Sequence, residues 1–298
     1  MFKTRRGRAE LFLFATTFIW GGTFVAVKLG LGDLSPVLFV ALRFSLAALV
    51  LLSFSPTRIL RIDRVLIWKG SLLGSLLFLG FALQTVGLTD TTASKSAFIT
   101  GLMVIFTPFF QFAIEKRAPK FANLAGVAIV TAGLWFLTSP PGGSPSLTGI
   151  TRGDALTLLC AAVFGLYIVM LDLFSKGAEA LPLTFLQMLT PAVLGWLTLP
   201  LLETPVWHPT TNAIAVLLFC ALLGNVLSNY VQTRYQRDTT PTRAAIIFTI
   251  EPLWASILGY WMLREVIGYG GMAGGAMIIA GILVSELSDT AHSQSTSK

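Results

Sequence analysis

Apolar residues fall in long blocks along this chain, at about 10–31, 36–54, 66–88, 92–114, 120–138, 153–175, 182–202, 212–233, 241–263 and 267–287. A bilayer core about 30 Å thick is crossed by about 20 consecutive apolar residues in a helix. The pattern predicts an all-α membrane protein of ten transmembrane helices, numbered spans one to ten. The longest polar connector, Ser139 to Gly153, holds three prolines and four glycines and separates two halves of five spans.

The halves share sequence. Asp90 to Ala97 reads D-T-T-A-S-K-S-A and Asp238 to Ala245 reads D-T-T-P-T-R-A-A, four identities and three close substitutions in eight positions. Between the copies the chain crosses the bilayer an odd number of times, so corresponding helices point in opposite directions, the arrangement of inverted-repeat secondary transporters. Trp20-Gly21 of span one corresponds to Phe164-Gly165 of span six, each ten residues after an acidic residue, Glu10 and Asp154. At that offset of 144 residues Pro108 of span four meets Pro252 of span nine. Gly126 to Gly133 of span five matches Gly274 to Gly281 of span ten, and their small residues mark these two spans as packing elements. The predicted organisation is a first repeat over 1–138, a periplasmic connector over 139–152, a second repeat over 153–287 and a disordered cytoplasmic tail over 288–298.

Composition sharpens this reading. The chain is 54% apolar and 12% charged, against about 25% charged residues in soluble domains. Its net charge of +7 is a topology signal rather than a nucleic-acid footprint. Basic residues crowd one side (Lys3 to Arg8, Arg58 to Lys69, Lys116 to Lys120, Lys176, Arg234 to Arg243), while the other keeps Lys28, Lys95, Arg152 and Arg264. The positive-inside rule then places both termini in the cytoplasm. The first apolar stretch is too long for a signal-peptide core and is expected to be retained as span one. Cys160 and Cys220 lie inside spans and imply neither disulfide nor metal.

Polar residues inside the spans are the candidates for chemistry. In span eight Asn225, Ser228, Asn229 and Gln232 recur at helical spacing and Gln236 continues the line. Such a stripe faces a wet cavity or supplies interhelical hydrogen bonds. Ser96, Thr100, Met103, Thr107 and Gln111 in span four, Thr16, Trp20 and Thr23 in span one, Gln84 in span three, Thr157, Phe164 and Tyr167 in span six and Trp254 in span nine join it as cavity candidates, with helix packing as the alternative for these single residues. Glu251 is the one carboxylate at the middle of a span. A central acidic residue costs about 2.5–3.5 kcal/mol to insert and commonly marks a pathway or proton relay. The alternative is that it ties down the Pro252 kink or neutralises Arg43, an arginine seven residues into span two. Pro108 and Pro252 are the expected helix kinks. Lys95 and Arg243, at one position of the two repeats, are candidates for gating or for binding an anion, with snorkelling to headgroups as the alternative.

Other function classes lack their chemistry. The histidines, His208 and His292, lie in a loop and the tail, so no catalytic residues, metal or cofactor are expected. No P-loop serves an ATP-driven pump, and a channel or scaffold does not need two inverted halves.

With these motifs in view, the chain resembles the ten-helix, drug/metabolite transporter superfamily with two EamA-type repeats. The resemblance rests on Trp20-Gly21, the paired D-T-T-x-[ST]-[KR]-x-A helix starts, Glu251-Pro252, and the acidic residues with basic neighbours in Glu115-Lys116-Arg117 and Arg264-Glu265. It implies that spans one to four and six to nine surround a central cavity, with spans five and ten outside. The expectation is a secondary transporter of the inner membrane working by alternating access. It would move a small metabolite, amino acid-like or otherwise amphipathic, with export the favoured direction and protons a candidate coupling ion, as a monomer or homodimer. The alternatives are an anionic or nucleotide-linked substrate or, in another class, a membrane-embedded enzyme or channel.

Overall fold

The computed structural model describes residues 4–54, 56–59, 62–116, 121–137, 151–265, 269–270, 272–281 and 284. Most of the predicted connector and all of the predicted tail lie outside these residues. Eight helices are long and apolar enough to cross a membrane: Arg5–Gly30, Pro36–Phe54, Arg64–Gly87, Ala93–Glu115, Arg152–Ser175, Ala180–Leu202, Thr211–Asp238 and Pro241–Leu263. They are spans one to four and six to nine. Shorter apolar helices, Phe121–Gly133 and Met272–Gly281, stand where spans five and ten were expected. The fold is an all-helical membrane bundle of two five-helix halves.

The repeated motif is a helix start. Thr92 and Thr240 are N-caps whose hydroxyls accept from the backbone N–H of Lys95 and Arg243, satisfying one of the free donors of a first helical turn. Pro241 takes the first helical position, where its missing N–H is harmless. A cation in the first turn, by contrast, opposes the helix dipole, so Lys95 and Arg243 must be held there by something else.

Spans four and nine are both interrupted. Span four is continuous over Ala93–Gly101 and restarts at Met103; span nine runs over Pro241–Phe248 and restarts at Glu251. At each break the hydrogen bonds tighten to three-residue spacing, Leu102 N–H to Ile99 and Ile250 N–H to Ile247. Pro252 explains the second break, because its ring clashes with the carbonyl four residues back, that of Phe248. Pro108 does not explain the first. It lies inside the helix Met103–Glu115, six residues beyond the interruption at Leu102. The caps Thr92 and Thr240, the breaks, and the left-handed C-caps Lys116 and Arg264 all repeat at 148 residues. Pro108 and Pro252, 144 apart, are therefore not counterparts in spans four and nine. Met103 occupies the place of Glu251, and Val104 that of Pro252.

Helices of one half pack against helices of the other through glycines. A Cβ on Gly21 would stand 2.6 Å from the Cβ of Trp254 and 2.9 Å from the carbonyl oxygen of Glu251, so span one runs against the backbone of span nine. Gly165 brings span six equally close to span four, at 2.9 Å from the Cβ of Phe106 and 3.3 Å from the Met103 carbonyl. The aromatic-glycine pairs thus divide two tasks, the glycine admitting a neighbouring helix and the aromatic ring turning inward. Spans five and ten meet through Gly133 against the Gly274 carbonyl and Gly281 against the Gly126 carbonyl. Carboxylates also cross between halves: Glu203 accepts from the N–H groups of Val37 and Leu38 at the start of span two, and Glu265 from those of Ala93 and Ser94 at the start of span four.

Gly21→Ala is expected to destabilise the protein by about 1–3 kcal/mol, the usual cost of overpacking. Gly22→Ala, which meets only the ends of movable side chains, the Phe219 ring at 3.3 Å and Leu258 Cδ1 at 3.5 Å, should stay near the parent. Thermal unfolding of the two purified variants compares them directly.

Candidate functional site

Six spans converge on one cavity near the middle of the bundle. Its wall is formed by Trp20 and Thr23 of span one, Leu77, Phe81 and Gln84 of span three, Thr100 and Met103 of span four, Phe164, Tyr167 and Ile168 of span six, Asn229 and Gln232 of span eight, and Phe248 and Glu251 of span nine. The cavity has a volume of about 50 Å³. It is a narrow, largely apolar chamber with a few polar groups.

The interruptions of spans four and nine put their restarting residues, Met103 and Glu251, on this wall. Among the described residues no side chain donates a hydrogen bond to the Glu251 carboxyl and none pairs with it as an ion. The other polar groups are held in place. Trp20 Nε1 donates to the Gly224 carbonyl at 3.1 Å, Gln84 Nε2 to Thr100 Oγ1 at 3.3 Å, and the Tyr167 hydroxyl to Gln187 Oε1 at 2.6 Å. Thr23 bonds back to the Trp20 carbonyl at 2.7 Å. Gln232 Nε2 donates to Gln236 Oε1 at 2.8 Å, and Gln236 in turn to the Ile168 carbonyl at 2.7 Å.

The span-eight stripe divides into two because the helix is not regular. Cys220–Leu227 is a π-helix, whose wider turn shifts everything after it relative to an α-helical register. Ser228 Oγ and Asn229 Nδ2 reach back five residues to the carbonyls of Leu223 and Gly224, at 2.9 and 3.2 Å. Asn229 and Gln232 come to the cavity. Asn225, predicted to join them, turns instead to span two, where its Oδ1 accepts from Arg43 Nη2 at 2.6 Å. Arg43 is therefore not neutralised by Glu251. Trp254 also stands off the wall: its indole N–H donates to Thr17 Oγ1 at 3.2 Å and its ring packs edge-on against Phe18.

Beyond the cavity, ion pairs join the halves at both faces. Lys95 Nζ lies 2.7 Å from Asp154 Oδ2, and Thr91 donates to the same carboxylate at 2.8 Å. At the opposite face Arg243 Nε lies 2.9 Å from Glu10 Oε1, which also takes Arg6 Nε at 3.0 Å and the Thr239 hydroxyl at 2.9 Å. Each repeat thus supplies the cation for one face and the anion for the other. These pairs hold the first-turn cations against the helix dipole. The signal was present in the sequence, as Glu10 and Asp154 at a fixed distance before the aromatic-glycine pairs, but nothing local assigns them Lys95 and Arg243. Leu77, Phe81, Ile168 and Phe248 of the wall carried no signal, being apolar residues in apolar spans. Among the described residues no group of three histidines, cysteines or carboxylates is placed to hold a metal ion.

The EamA-like transporter family model matches residues 7–139 and 151–287. An uncharacterized transporter of Archaeoglobus fulgidus is 28% identical over 286 residues, 95% of this chain and 87% of the relative. The uncharacterized inner membrane transporter YedA of Escherichia coli is 24% identical over 92% of this chain and 89% of its own length. A protein of known crystal structure, 19% identical, superposes with a TM-score of 0.78 over 95% of this chain and 97% of its own, and so shares the fold.

The divided stripe makes the two asparagines behave differently. Asn225→Leu is expected to cost about 2–3 kcal/mol, since it removes a buried hydrogen bond to a charged group. Asn229→Leu should cost less and act chiefly on what the cavity binds. Unfolding midpoints of the two single variants compare their structural cost, and ligand affinity of the Asn229 variant reads its part in the cavity.

Proposed function

This chain belongs to the EamA-like transporter family and is a multi-pass membrane transporter; we propose that it is a secondary transporter exporting a small, amino acid-like metabolite by alternating access. The observation that carries the reading is the Glu251 carboxyl, set at a helix break on the wall of a central cavity with no protein partner among the described residues. Bare of a counter-ion in low dielectric, it either holds a proton or meets the cationic end of a substrate. We assign it both tasks, in alternation. The aromatic rings of Trp20, Phe164 and Tyr167 and the amides of Gln84, Asn229 and Gln232 suit an amphipathic molecule. At its present size the chamber holds a few waters, so substrate entry requires the halves to move apart.

In this mechanism the two halves, 1–138 and 153–287, rock about the cavity. Lys95–Asp154 latches the face away from the termini and Arg243–Glu10 latches the face near them. Their close pairing supports a gate role over direct anion binding. The density of basic residues around the N-terminus favours a cytoplasmic location for both ends. The reading holds for a monomer or for a homodimer of independent protomers, and it needs no cofactor.

Glu251→Gln keeps the side chain's size and imitates its neutral form. In proteoliposomes screened with a panel of metabolites, the variant is expected to lose accumulation driven by a pH gradient while retaining exchange. If it concentrates substrate as the parent does, Glu251 is a structural residue and the coupling assignment fails.

The latches predict opposite sidedness. Lys95→Gln should favour opening at the face away from the termini and Arg243→Gln at the face near them, read as accessibility of cysteines at each mouth to impermeant thiol reagents. Identical labelling of the two variants would remove both residues from the gates.

A further inference from the structure

We propose that Arg43 and Asn225 form an anion subsite behind the cavity wall that binds a carboxylate of the transported molecule; this rests on the cavity being the substrate path. Arg43 is 1% exposed, and among the described residues no carboxylate lies within ion-pair distance of it. Its Nη2 donates to Asn225 Oδ1. Its Nε and the Asn225 Nδ2 are both buried donors with no acceptor among the described residues. Two unanswered N–H donors beside an unpaired cation constitute a site for an anion, since a buried charge and a buried donor are each costly until they are met.

Three aromatic rings and the buried Cys220 thiol surround the guanidinium. The rings of Phe39, Phe44 and Phe81 lie 5.7, 5.6 and 4.6 Å from the guanidinium carbon. Their faces attract the cation but do not replace an oxygen acceptor for Nε. The Gly224 carbonyl of the π-helix opposite is filled by Trp20 and Asn229, and neither Arg43 Nε nor Asn225 Nδ2 reaches another acceptor among the described residues. The subsite also adjoins the cavity. Phe81, the nearest ring to Arg43, is itself a cavity-wall residue, and so is Thr23. The Thr23 methyl and Arg43 Nη2 lie 2.9 and 3.5 Å from the point where a Cβ on Gly224 would stand. Rotation of the Phe81 ring would therefore open the guanidinium to a molecule in the cavity, whose other, cationic end can address Glu251. A π-helix at this place fits the rule that such turns mark functional positions.

The test is thermal unfolding of the purified full-length protein in lipid nanodiscs, in a carboxylate-free HEPES buffer of fixed ionic strength. Acetate is the carboxylate probe, chloride the inorganic anion and methylammonium the cation. Acetate should raise the parent's midpoint saturably. Arg43→Gln should weaken apparent acetate affinity by about tenfold or more. Arg43→Lys, which keeps the charge but lacks the Nε donor, should fall between them and serves if Arg43→Gln does not fold. Glu251→Gln should keep the acetate response and lose that to methylammonium. The proposal is overturned if acetate leaves the parent unchanged, if its effect survives in both Arg43 variants, or if only chloride stabilises. Loss of the methylammonium response alone, with acetate binding through Arg43 intact, bears on Glu251 and leaves the subsite standing. An acetate response abolished only at Arg43, in a protein whose Glu251→Gln variant still accumulates substrate on a pH gradient, would sink the Glu251 assignment and not this one.

Discussion

Hydrocarbon offers a polar atom no partner, so every buried donor, acceptor and charge in this bundle must be answered by another part of the protein or by what the protein carries. The constraint explains where the halves touch. Glu203 and Glu265 cap helices of the opposite half with paired backbone hydrogen bonds. Lys95 and Arg243, unfavourable in a first helical turn, are kept there by Asp154 and Glu10 across the repeat boundary. Among the described residues Glu251 and Arg43, of opposite character, are not answered by an opposite charge. The Glu251 carboxyl lies on the cavity wall without a donor, and Arg43 lies just behind that wall without an anion. An acid and a base left over in one region, and not paired with each other, are what a site for an external molecule with two charged ends requires.

Departures from regular helix cluster around the same cavity. Spans four and nine break at Leu102 and at Thr249-Ile250, and span eight widens into a π-helix at Cys220–Leu227. Each frees or redirects backbone groups that a continuous α-helix would consume. The carbonyls of Gly224 and Leu223 become acceptors for Trp20, Asn229 and Ser228, which positions the indole and the amide of the wall. The breaks in turn bring Met103 and Glu251 to equivalent places in the two halves, one apolar and one acidic. The inverted repeat thus supplies equivalent places in the two halves, and substitutions such as Thr100 against Phe248, Phe81 against Asn229 and Met103 against Glu251 make the chamber chemically lopsided.

Much of this was legible in the chain. Hydropathy is a local property, so the runs of about 20 apolar residues that a bilayer demands located the spans directly. The repeat was legible because a helix start has its own short-range chemistry, and D-T-T followed by a small residue and a cation is a cap written twice. The depth of Glu251 and the break at Pro252 followed from the same local rules. Pro108 misled, because a proline is tolerated inside a helix whose neighbours accommodate it, while the true break at Leu102 carries no proline at all.

What the sequence determined by itself, then, is everything set within a few residues along the chain: span positions, helix starts, the proline break and the costly central carboxylate. Only the tertiary structure decided which side chains meet. Asn225 and Asn229 share an α-helical stripe on paper, yet one π-turn sends the first to Arg43 and the second to the cavity. Lys95 finds Asp154, 59 residues away, and Arg243 finds Glu10, 233 residues away. Phe81 and Phe248 become walls although nothing in their composition separates them from residues facing lipid. The reason is that lateral contacts depend on each helix's rotation about its axis. A single added residue in one turn changes that rotation for every position beyond it, while leaving hydropathy and spacing almost untouched.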